Sequence, residues 1–82
     1  MEDKDALEMI KDALSSITPE REEQFRQLTL DSDMKSLQID SIRTLEMIGI
    51  IEDRLATTFE EQEIAKVKSL RDLVDLICRS EA

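Results

Sequence analysis

A chain with one glycine, Gly49, and one proline, Pro19, in 82 residues lacks the residues that close the tight turns of a sheet. Hydrophobic residues make up 40% of it and charged residues 38%, a mixture suited to amphipathic helices. The expected fold class is therefore all-α. Two phenylalanines and no tyrosine or tryptophan mean that the core must be mainly aliphatic. One domain is expected over residues 1–82, burying somewhat more than about 60% of its unfolded surface, with a stability of about 4–12 kcal/mol.

Periodicity places the helices. Leu7, Ile10, Leu14 and Ile17 recur at helical spacing, with Glu8, Lys11 and Asp12 on the other side, which predicts helix I over about 3–17 with Asp3 or Asp5 as cap. Pro19 restricts Thr18 and should stop that helix near Ile17. Thr18-Pro19-Glu20-Arg21-Glu22 has the signals of a new start, with proline first and acids in the first turn, so a short helix through about Arg26 is expected. It lies within a long connection over 18–40, whose Leu28, Leu30, Met34 and Leu37 should pin it to the core. Helix II is expected over about 41–56. Phe59 then anchors a connection, a short helix III over about 60–66 turns Ile64 inward, and helix IV runs over about 69–79. Ser69 and Asp72 approximate a capping box there, and Leu70, Leu73, Val74, Ile77 and Cys78 form an apolar stripe.

Twenty acidic residues against 11 basic ones give a net charge of −9 and a pI of about 4.4. Such a surface repels nucleic-acid backbones and anionic lipid headgroups, and it favours proteins with basic patches. No apolar run reaches the length of a membrane span, and Met1-Glu2-Asp3-Lys4-Asp5 is too acidic for a targeting segment, so membrane insertion is not expected and a cytoplasmic location is. Cys78 stands alone, which excludes an internal disulfide. With no histidine in the chain, the usual general base, the commonest metal ligand and a Ser-His-Asp arrangement are all missing. Asp31-Ser32-Asp33 begins like a calcium loop. Lys35 then falls at a ligand position, Ser36 at the turn glycine and Ile42 at the bidentate acid, so no metal site is expected.

The most informative stretch begins at Asp40. Its carboxylate can cap helix II, leaving Ser41 as the first helical residue with no turn above it and an accessible hydroxyl. At about 100° per residue, Thr44, Leu45, Ile48, Ile51 and Leu55 form the expected core stripe. Ile42, Glu46, Gly49, Ile50 and Asp53 share the opposite side, where isoleucines among acids suit the docking of a partner. Gly49 lowers helix stability by about 1 kcal/mol relative to alanine, which implies either a close backbone approach or room left for a partner. Ser41 has no helper for catalysis, so it is a better substrate for another enzyme than a nucleophile itself.

Leu37, Asp40-Ser41-Ile42, Leu45-Glu46, Ile51-Glu52-Asp53 and the amphipathic helix that follows resemble the acyl carrier protein family over about 37–77. Gln38 stands where that family usually has glycine, Ile42 replaces its usual leucine, and Arg43 occupies an often acidic position. The resemblance implies a small bundle of three main helices plus one or two short ones, with the long loop between helices I and II. It implies a 4′-phosphopantetheine arm on Ser41, taken from coenzyme A by a phosphopantetheinyl transferase, with Asp40 as part of the motif. It further implies a free-standing, monomeric carrier that is not itself an enzyme. Such a carrier holds acyl groups as thioesters and presents them to loading, condensing or other enzymes of fatty-acid, polyketide or related synthesis. Docking would use Ile42, Arg43, Glu46, Ile50, Glu52 and Asp53, and Glu46→Lys or Ile50→Asp would weaken it without unfolding the domain. An aminoacyl or peptidyl carrier with the same arm, and an unmodified acidic adaptor, are the alternatives.

Overall fold

A computed structural model describes residues 1–80; residues 81 and 82 of the expected domain lie outside the described residues. Helix α1 spans Asp3–Ile17, a 3₁₀ turn Pro19–Arg21, α2 Glu22–Arg26, a second 3₁₀ turn Met34–Leu37, α3 Ser41–Leu55, α4 Glu61–Ala65 and α5 Leu70–Ser80. Among the described residues the only strand-like pairing is an isolated bridge between Asp33 and Ser69, so the fold is the expected all-α bundle.

Helix α1 buries Ala6, Ile10, Ala13 and Leu14 and packs against both α3 and α5. The two alanines let neighbouring backbones come close, and Ile10 and Leu14 supply the volume. Met47, Ile48 and Ile51 of α3 and Leu70, Leu73, Val74, Leu76 and Ile77 of α5 join that core on either side of α1, together with Phe25, Leu37 and Phe59. Each fully buried large aliphatic stabilises the fold by about 1.5–3 kcal/mol. None of α1's expected caps forms: Glu2 is the N-cap residue with no side-chain cap bond, and Asp3 and Asp5 sit in the first turn, where they still favour the helix dipole.

The long connection is held by backbone bonds as well as by its apolar side chains. Leu70 N–H donates to Ser32 O at 2.9 Å, Arg71 N–H to Leu30 O at 3.0 Å, and Met34 N–H to Lys68 O at 2.9 Å. Two of the free N–H groups at the start of α5 are thereby satisfied by the loop, an arrangement that fixes both. The connection also contains two short helical pieces and the 3₁₀ turn that carries buried Leu37, more regular structure than the one short helix and irregular run that its sequence predicts.

Ser69 and Asp72 form the expected capping box: Asp72 N–H donates to Ser69 Oγ at 3.3 Å, and Ser69 N–H donates to Asp72 Oδ2 at 3.2 Å. Lys68 N–H adds a third bond, to the same carboxylate oxygen at 3.0 Å. These backbone donors, led by Lys68 N–H, hold the Asp72 carboxyl below the ordinary aspartate pKa. A depressed folded-state pKa gives stability that is fully present above the unfolded value and is lost as pH falls through the folded one. The difference in urea midpoint between the wild type and Asp72→Ala is therefore expected to be widest near neutrality. It should close as pH drops below the ordinary aspartate range. A pH-independent difference would rule out the charged cap as its source.

Helix α3 corrects the expected core stripe. Leu45 is 64% exposed, whereas Met47 is fully buried. The side chains that pack inward are Met47, Ile48 and Ile51, with Ile50 and Leu55 half-buried against them, a stripe at helical spacing. Helix α3 ends at Leu55, one residue before the expected boundary, because Ala56 turns left-handed at φ 53°. Ala56 N–H donates to Asp53 O at 3.3 Å and Thr57 N–H to Glu52 O at 3.1 Å, the paired bonds of a Schellman end. Nothing lies within 4 Å of where a Cβ on Gly49 would be. Of the two explanations for that glycine, close backbone approach within the chain is excluded.

Candidate functional site

Asp40 sits just outside α3 in extended conformation, and its Oδ1 accepts from Arg43 N–H at 2.8 Å. Thr44 Oγ1 donates to Asp40 O at 2.9 Å. The carboxylate and the carbonyl of Asp40 are thus both occupied in starting the helix, which leaves the carboxylate poorly placed to serve as a base. Ser41 follows as the first residue of α3 and is exposed. An oxygen at this point lies in the positive end of the helix dipole beside N–H groups of the first turn, a setting that favours an attached phosphate. The Asp40 charge opposes it. Ser41 is thus an exposed hydroxyl at a helix start, with no side chain positioned to activate it.

Downstream of Ser41, the outward face of α3 carries Ile42, Leu45, Glu46 and Asp53, all exposed, with Ile42 at 69%. Leu45, read from the sequence as core, joins this face and also lines an open groove with Glu61, Gln62, Ile64 and Ala65 of α4. The two bases of α3 do not share the face. Arg43 is half-buried and its guanidinium donates to Thr18 Oγ1, and Arg54 pairs with Asp12 of α1 at 3.7 Å. Ile50 is half-buried and packs against the core. Glu52 is half-buried as well, and its Oε2 accepts from Phe59 N–H at 2.7 Å, which ties the connection after α3 back onto the helix.

On the other side of Ser41 the chain is held by Arg21, whose place in the sequence marks only a helix start. Arg21 Nη2 donates to Leu37 O at 2.7 Å, Nη1 to Gln38 O at 3.1 Å, and Nε to Gln24 Oε1 at 2.7 Å. Its guanidinium lies 4.9 Å from the centre of the Phe25 ring. Gln38 is left-handed, at φ 52° and ψ 45°. Its place in the sequence, where the resembled family usually has glycine, was the only signal of that conformation. No local pattern pointed to Arg21.

Cys78 lies in the last turn of α5. Burial and the Asp3 carboxylate push its thiol pKa up, and its Sγ donates to Met1 O at 3.4 Å, so the sulfur is a packing group rather than a nucleophile. The groove that it lines, with Glu63, Lys66, Asp72, Asp75 and Arg79, includes no residue of the Ser41 region. Among the described residues no cluster of potential metal ligands occurs and no helix is long and apolar enough to cross a membrane.

Residues 8–77 match the family model described as "Phosphopantetheine attachment site". The chain is also 33% identical over 66 residues to the "Acyl carrier protein homolog" of Ureaplasma parvum serovar 3 (strain ATCC 700970), an alignment covering 80% of this chain and 86% of that protein. No solved structure gives a significant match.

Proposed function

The chain belongs to the phosphopantetheine-attachment family of carrier proteins, and on that premise we propose that Ser41 is the attachment point and that the cargo is acyl. The observation that carries the reading is an exposed serine at the first position of α3, next to a carboxylate already bound to Arg43 N–H. Ser41 is available to an incoming enzyme and has no partner with which to do chemistry of its own.

In the modification, Ser41 Oγ bonds to the phosphorus that carries pantetheine in coenzyme A. The pyrophosphate linkage breaks, adenosine 3′,5′-bisphosphate leaves, and the hydroxyl proton passes to the transferase. The attached arm supplies a terminal thiol on which an acyl group is held as a thioester. The protein's own residues hold and present it. Asp40 fixes the start of α3, Ile42 and Leu45 offer apolar contacts, and Glu46 and Asp53 offer charge to basic patches on enzymes that load or consume the acyl group. Glu52 and Arg43 sit at the edges of this face, and Ile50 supports it from below. Tethering raises the effective concentration of cargo at whichever enzyme is docked. The relative's name favours acyl cargo over aminoacyl cargo, and fatty-acid or polyketide synthesis in the cytoplasm is the setting that such cargo suggests.

Incubation with coenzyme A and a broad-specificity phosphopantetheinyl transferase, followed by intact-mass measurement, tests the reading. The wild type is expected to gain one arm and Ser41→Ala none. A gain in both proteins would move the site elsewhere; a gain in neither would favour an unmodified adaptor.

A further inference from the structure

Ser41 is bracketed by one short piece of chain. The segment from Thr18 to Arg21, between α1 and α2, reaches the loop before the serine through Arg21 and the helix after it through Thr18. Arg21 binds the carbonyls of Leu37 and Gln38, and Thr18, only 4% exposed, accepts from Arg43. We infer that Arg21 is a positioning residue for the modification of Ser41, acting by holding the left-handed Gln38 peptide and so setting the direction in which the chain enters α3. This inference rests on the reading of Ser41 as the attachment point.

A non-glycine residue in the left-handed region is disfavoured sterically, and it persists where surrounding contacts over-determine it. Here the contacts are visible. Arg21 places two of its nitrogens on two successive carbonyls, one on each side of the Gln38 Cα, and a third on Gln24. Its plane is seated near the Phe25 ring, and Phe25 is itself 1% exposed. The guanidinium is thus fixed from behind while it grips the loop in front. Lysine cannot reproduce this, because a single ammonium lacks the planar fork that spans two acceptors. Without the grip, the Gln38 N–H bond to Lys35 O at 3.2 Å is the one hydrogen bond left holding the residue, and the peptide beyond its Cα can turn toward negative φ. The peptides of Ile39 and Asp40 would then rotate, and Ser41 would be presented to the transferase in a spread of orientations. Misplacement of this kind typically lowers rates by about ten- to a hundredfold.

The test compares wild type, Arg21→Ala, Arg21→Lys, Gln38→Gly and the Arg21→Ala/Gln38→Gly double variant. Each is assayed for kcat and KM with coenzyme A and the transferase, with rates normalised to the folded fraction from circular dichroism. Arg21→Ala is expected to lose about tenfold in kcat/KM, mostly in kcat, since the outward face of α3 is untouched. Arg21→Lys should recover little. Glycine adopts the left-handed conformation without steric cost but other conformations as readily, so the double variant should regain part of the loss, a rescue that a merely structural role of Arg21 would not produce. Wild-type kinetics in Arg21→Ala, or a loss that Gln38→Gly does not relieve, would overturn the inference and leave Ser41 as the attachment point. A wild type that takes no arm would overturn both.

Discussion

Ile42→Asp combined with Glu46→Lys is expected to lower processing by a partner enzyme by about a hundredfold at low salt, while leaving the urea midpoint close to wild type. The size follows from losing one apolar anchor and reversing one charge on the face proposed for docking. Anchors of this kind are each worth about 2 kcal/mol or more, and about 1.4 kcal/mol is tenfold in affinity. Stability should hold because both side chains are exposed, Ile42 at 69%, and substitutions at such positions usually change stability by less than about 0.5 kcal/mol. The charge contribution should fade as salt is added and the Ile42 contribution should not. Rates equal to wild type at low salt would exclude the outward face of α3 as the interface.

Ile50→Asp, the alternative suggested by the sequence, is a poorer probe. Ile50 is packed against the core, so a carboxylate there would disturb packing and docking together. Arg43 also looks different in three dimensions. An outward-facing base in the first turn of α3 would weaken attraction for basic partners, but the Arg43 guanidinium is engaged with Thr18, and Arg54 is drawn toward Asp12. The acids Glu46 and Asp53 keep the outward face to themselves.

Phe25→Ala is expected to have the largest effect on stability, a loss of about 3–5 kcal/mol read from urea titration. A fold of this size has about 4–12 kcal/mol in total, so the variant should be partly unfolded at 25 °C if the protein lies near the lower end. Phe25 is the only fully buried side chain of α2, and removing it empties the junction of that helix with α1. It also takes away the seat of the Arg21 guanidinium, so modification of the remaining folded protein should slow as well. A shift below about 1 kcal/mol would mean that the site collapses around the smaller side chain.

What could be read from the sequence was set by how local each interaction is. Helix α1 begins and ends where periodicity and Pro19 placed it, and the Ser69–Asp72 box forms because both partners lie within one turn. Asp40 as the cap of α3 is a contact of the same range. The loop before Ser41 was not legible in this way. Its partners are Arg21, 16 and 17 positions away in the chain, and the first backbone groups of α5. Leu45 was misassigned because two apolar stripes overlap on α3, and only the neighbours of Met47 decide which one turns inward. Gln38 stands out in the sequence as a departure from the family's glycine, but its left-handed conformation and what holds it are seen only in three dimensions.

The central claim, that Ser41 is handed to a transferase, is tested most directly by intact-mass and fragment-ion measurement of the protein isolated from cells that make coenzyme A. The expected result is a phosphopantetheine adduct localised to Ser41, absent from Ser41→Ala expressed in the same cells. An unmodified Ser41 in protein recovered from cells with an active transferase, or an adduct localised to another residue, would contradict it.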